Sequence, residues 1–127
     1  MSAQLSFVLG ALGALVSVVL GAFGAHALKD RLDDYSLGVF DTAVQYQFYH
    51  SLALLIVALV MLQMPASTLL RSSSVLFVLG IVVFSGSLYV LSLTGIRWLG
   101  AVTPLGGLAF IAGWACLAAA GWKLLGS

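Results

Sequence analysis

The sequence predicts an all-α membrane protein, an antiparallel bundle of four transmembrane helices. Hydrophobic residues fill 62% of the 127 positions and charged residues 7%, against about half and roughly a quarter in a soluble domain. Mean hydropathy is +1.17, so a soluble fold would expose large apolar patches that only lipid can cover. Four separate stretches reach the roughly 20 apolar residues needed to cross a hydrocarbon core about 30 Å thick.

The expected spans are residues 5–27, 43–64, 73–94 and 99–122, forming a single membrane domain. Ala25-His26-Ala27 matches a small-x-small cleavage pattern, but no Lys or Arg precedes the apolar run. The run also exceeds a signal core of about 7–15 residues, so it is expected to be retained as a span. After it, Lys29-Asp30-Arg31 extends the first helix into water, and Asp34 or Ser36 can cap a short helix with Val39 and Phe40 along the interface. An irregular polar loop is the alternative for this segment. Met64-Pro65-Ala66-Ser67 ends the second span, since proline lacks an N–H and disfavours helix before it. Gly95 ends the third, and Arg97-Trp98 places a cation and an indole at the interface. Pro104 is expected in the first turn of the fourth span, and the glycines after it allow close approach.

Helices in lipid associate through close contact, so small residues at four-residue spacing mark packing faces. Gly13, Ser17, Gly21 and Ala25 form such a row on the first span, and Gly106, Gly107, Ala109 and Gly113 supply small residues to the fourth. These two spans are expected to be the tightly packed elements. The same rows suit contacts with a second copy, so a homo-oligomer or a partner membrane protein stays open beside intramolecular packing.

Net charge is +1, which leaves no basic field for nucleic acid. Cys116 is the one cysteine, which rules out an intrachain disulfide or a cysteine metal cluster. Basic residues number three on the first and third loops against two on the other side, too even a balance to set orientation. With four alternating spans, His26, Gln45, Tyr46, Tyr49, His50, Ser85, Tyr89, Arg97 and Thr103 gather toward one membrane face. Thr42, Gln45, Tyr46, Tyr49 and His50 share one helical arc that is expected to face other helices, while Gln47 points elsewhere.

Three functional readings follow. Aromatic walls from Tyr46, Tyr49, Tyr89 and Trp98, with donors from His26, Gln45, His50 and Arg97, suit a membrane lipid or a quinone-like ligand. His26 and His50 on adjacent helices invite a haem or metal redox site, with too few further ligands for a typical one. A transporter or channel subunit would need an oligomer to form a path. The plain alternative is that the polar groups only satisfy one another between helices. No catalytic residue, metal or cofactor is assigned.

Gly21-Ala-Phe-Gly-Ala-His-Ala-Leu28, Thr42-Ala-Val-Gln-Tyr-Gln-Phe-Tyr-His50, Phe84-Ser-Gly-Ser-Leu-Tyr89 and Thr103-Pro-Leu-Gly-Gly107, followed by Gly113-Trp114, resemble the YgdD-like family. The resemblance runs through essentially the whole chain. It implies a four-span protein of the bacterial inner membrane and brings no activity, substrate or catalytic residue with it. Its motifs fall on the polar residues gathered above.

Overall fold

A computed structural model describes residues 1–126 and contains α1 (Ala3–His26), α2 (Asp34–Met61), α3 (Thr68–Gly80), a π-helical turn (Ile81–Ser85), α4 (Gly86–Thr94) and α5 (Leu99–Leu125). The π turn joins α3 and α4 into one continuous third span, so four helices are long and apolar enough to cross a membrane. The four-span bundle is therefore the observed architecture.

Local signals set most of the boundaries. Ser2 Oγ accepts from the Leu5 N–H, Asp33 Oδ1 from Ser36 and Ser67 Oγ from Leu70, each satisfying a donor at the start of a helix. Gly95 ends α4 at φ 73°, a left-handed conformation that costs glycine nothing. Several expected boundaries need correction. The first helix does not continue through Lys29, because α1 stops at His26. No separate interfacial helix exists either. Asp33 starts α2, which runs unbroken to Met61, and Phe40 is buried instead of lying along the interface. At 28 residues α2 is longer than the bilayer core requires, so its first turns lie in the headgroup layer. Pro104 sits inside α5, beyond the first turn.

The spans pack as two antiparallel pairs. Along α1, Gly24 meets Phe40, Gly21 meets Val44, and Gly13 and Gly10 meet Ser51 and Leu54 of α2. Between the third and fourth spans, Gly80 meets Phe110, Gly113 meets Phe77 and Gly106 meets Phe84. In each pair a step along one helix is matched by a nearly equal step back along the other. Small residues let the backbones approach, and aromatic rings fill the space that a side chain would have taken.

The four expected packing residues of α1 divide. Gly13 and Gly21 contact α2 and Ser17 is buried, whereas Ala25 is exposed. On α5, Gly106 and Gly113 are buried, while Gly107 and Ala109 are only partly covered. The most enclosed elements are α2 and the third span, not the first and fourth. α1 and α5 do not pack as a pair. They flank the central helices and turn large apolar side chains such as Leu12, Val18, Leu105 and Ile111 outward to lipid.

A Cβ at Gly106 would come within 2.7 Å of the Phe84 Cβ and press on the Phe84 backbone, while one at Gly121 would meet nothing. Gly106→Ala is expected to lower stability by about 1–3 kcal/mol and Gly121→Ala to change it by less than about 0.5 kcal/mol, measured by reversible unfolding in mixed micelles. Hydrogen bonds from Ser36, with a smaller contribution from the Arg97 charge, hold the Asp33 carboxyl below its ordinary value of 3.8. A depressed carboxyl stabilises the fold above its unfolded pKa and loses that contribution as pH falls through the folded one. The protection of the Ser36 amide, taken relative to its intrinsic exchange rate, is therefore expected to fall selectively below about pH 4, and to be insensitive to pH in this range in Asp33→Asn.

Candidate functional site

Polar side chains inside hydrocarbon must find partners within the protein. Here most of the buried ones find them across helices. Gln47 is at the midpoint of α2 and only 6% exposed. Its Nε2 donates to the Gly13 carbonyl at 3.0 Å, and its Oε1 accepts from the Tyr89 hydroxyl at 2.6 Å. One amide thus ties α1, α2 and α4 together. Ser85 Oγ donates to the Ala43 carbonyl, Ser73 Oγ to the Gly113 carbonyl, and the hydroxyls of Ser6–Ser74 and Ser87–Thr103 pair with each other.

His50 is the second junction. Its ring stacks on Phe110 with centroids 3.5 Å apart and planes 9° from parallel. The Trp114 Nε1–H donates to His50 Nε2 at 3.0 Å, and Nδ1 lies 2.7 Å from the Tyr46 carbonyl. That carbonyl can only accept, so the pattern fixes the neutral tautomer with its proton on Nδ1. Phe77 closes the box.

The expected site residues are scattered by this arrangement. His50, Ser85 and Thr103 are buried and Tyr89 is half-buried, all with partners inside the bundle. Tyr46 packs its ring on Phe84, with one edge open. Tyr49, at 53% exposure, and Gln45 face outward, contrary to the expectation that their arc faces other helices. Gln47, expected to point elsewhere, is the inward residue. The centre of the buried face is set by Ala43, Leu54 and Val57, and Gln47 lies on that line. Arg97 and His26 are exposed.

The two-histidine reading fails on geometry. The contacts of Gly24 with Phe40 and Gly21 with Val44 put His26 level with the first turns of α2, roughly 18 Å of helix rise from His50. Both His50 nitrogens are already engaged. Among the described residues no three His, Cys, Asp or Glu side chains gather in a metal-binding group.

One cleft opens onto this network. Leu9, Leu12, Gly13 and Val16 of α1, Gln47 and Leu54 of α2, and Val78, Ile81 and Val82 of the third span line an open recess of about 240 Å³ between α1 and the π turn. Its walls are aliphatic and Gln47 is its polar point. Behind Gly13, the Ser51 hydroxyl is fully buried against the glycine and has no hydrogen-bond partner among the described residues.

Residues 20–107 match the family model described as a protein of unknown function, DUF423. The chain belongs to this family. It is 48% identical to the UPF0382 membrane protein YwdK of Bacillus subtilis over 93% of this chain and 96% of the relative. Identity to a UPF0382 membrane protein of Staphylococcus haemolyticus is 47%, over 97% of this chain and 99% of the relative. The inner membrane protein YgdD of Escherichia coli K12 is 41% identical over 92% of this chain and 88% of its own length. No solved structure matches the chain. The family and the four apolar helices make this a multi-pass protein of the inner, or plasma, membrane.

Within this family member, Gln47 and Trp114 were missed as site residues by sequence reasoning. Gln47 could have been found from the small residues sharing its face, Ala43, Ser51 and Ala58, which mark a contact surface on α2. Tyr89→Phe removes one donor to Gln47 and is expected to cost about 1 kcal/mol, while Gln47→Leu loses two interhelical bonds and is expected to cost more. Unfolding of both variants in the same micelles checks the order.

Proposed function

We propose that this protein is a non-enzymatic, membrane-embedded binding protein that holds a lipid-class ligand in the lateral cleft between α1 and the third span. The observation that carries this reading is the cleft itself: a small aliphatic recess at mid-membrane depth with one polar side chain, Gln47, in its lining. Ligand sites combine apolar walls with a few placed polar groups, and this recess has that composition. Its volume of about 240 Å³ suits a ring or a length of hydrocarbon chain. A partner helix about 10 Å across does not fit such a space, which favours a lipid-class occupant over a docked protein.

The π turn supports the same reading. Ile81 and Val82 belong to it and line the cleft, and single π turns within α-helices recur at functional sites. The polar residues at the membrane face then serve the bundle and not the ligand directly.

Val82 is 65% exposed and Leu12 53% exposed, so a larger side chain at either position can fill the cleft without crowding the core. Val82→Trp and Leu12→Trp are each expected to lose most of the lipid retained by the wild type, read by native mass spectrometry from nanodiscs, with the unfolding midpoint shifted by no more than a few degrees. An unchanged complement of retained lipid in both variants would overturn the proposal.

A further inference from the structure

Resting on the cleft reading above, we infer that the ligand is a neutral isoprenoid or alkyl quinone whose ring carbonyl is read by the Gln47 amide. A primary amide has two N–H donors and a carbonyl with two lone pairs. The protein uses one N–H, on the Gly13 carbonyl, and one lone pair, on the Tyr89 hydroxyl. One donor and one acceptor are left on a side chain that is more than nine-tenths buried and lines the cleft. Behind the same wall, the buried Ser51 hydroxyl abuts Gly13 and has no hydrogen-bond partner among the described residues. Unused hydrogen-bonding capacity inside hydrocarbon costs free energy, and a polar ligand atom removes that cost.

Depth selects the ligand class. Gly13 is near the midpoint of the 24-residue α1, and its carbonyl takes the Gln47 N–H, so the amide lies roughly 10 Å or more inside the edges of the hydrocarbon core. The ester carbonyls of a phospholipid stay at the boundary of a core about 30 Å thick, out of reach of this amide. A charged headgroup cannot descend to it either. A quinone is uncharged, carries its carbonyls on a small flat ring, and has an apolar tail that keeps the whole molecule in hydrocarbon. Its carbonyl accepts from the free N–H. In the hydroquinone form, the hydroxyl donates to the free lone pair of Oε1, so the site accommodates both forms through the same side chain.

The test uses the full chain in nanodiscs of synthetic phosphatidylcholine, with a decyl-tailed benzoquinone and decylbenzene as probes in displacement of a diazirine-labelled fatty acid. For the wild type the quinone is expected to bind about tenfold more tightly than decylbenzene, the worth of one hydrogen bond made in place of none. Gln47→Met is expected to bind the two equally, and Val82→Trp neither. Equal affinity of both probes for the wild type would overturn the quinone assignment and leave the lipid cleft standing. Failure of both probes to bind the wild type would overturn both. Because Gln47→Met removes two interhelical bonds, a photoreactive decyl quinone on the wild type gives an independent reading. Its adducts are expected on Leu12, Gly13, Val16, Val78 and Val82, and adducts confined to the Tyr49 and Trp114 face would overturn the inference.

Discussion

An amide at the middle of a membrane-spanning helix has no water to bond with, and the rest of this bundle is organised around the way Gln47 meets that constraint. Its N–H reaches the backbone of α1 and its carbonyl takes the Tyr89 hydroxyl, so α1, α2 and α4 are held at one depth. Lipid supplies no hydrophobic drive to pull helices together, because acyl chains are as apolar as leucine. Shape and hydrogen bonds must do it. Within each antiparallel pair shape dominates, through glycines that admit Phe40, Phe77, Phe84 and Phe110. Between the pairs an apolar cluster of Leu54, Val57, Met61, Leu70, Phe77 and Phe110 is joined by the hydrogen bonds Gln47–Tyr89, Ser85–Ala43, Ser6–Ser74 and Trp114–His50.

This division explains why the polar residues are so numerous. Each serine or threonine that crosses to another helix satisfies its own hydroxyl and fixes the rotation of the span that carries it. His50 shows the same economy in aromatic form, since one ring stacks on Phe110, accepts from Trp114 and keeps its proton on the Tyr46 carbonyl side. The cleft beside α1 is where this satisfaction is incomplete. It lies beside Gly13, whose lack of a side chain leaves room for the Ser51 hydroxyl.

Much of the fold was legible because its signals are local. Span number followed from apolar length, Gly95 announced a helix end, and the spaced glycines of the first and fourth spans marked contact faces. The start of α2 was misread because an apolar count stops at the hydrocarbon edge, whereas a helix continues through Asp34 and Tyr35 into the headgroup layer. The candidate site was less legible. Choosing the arc with the most polar residues favoured Gln45 and Tyr49, which tolerate the lipid boundary, over Gln47, which sits among alanines and a serine. In hydrocarbon smallness marks the inside more reliably than polarity does. The partnership of His50 with Trp114 joins α2 to α5 and depends on helix arrangement, which no spacing within one segment encodes.

The two glycine-lined interfaces join spans that are neighbours in the chain, while the bonds of Ser6, Ser85, Tyr89 and Trp114 link spans from different pairs. That arrangement sets an order of assembly during insertion. α1 and α2 can close on each other as soon as both have entered the bilayer, and Gln47 then already has the Gly13 carbonyl to bond with. Its second bond waits for Tyr89, which arrives with the other hairpin. The first hairpin therefore enters lipid with its most polar side chain half satisfied, and docking of the second hairpin is drawn toward that unfinished amide.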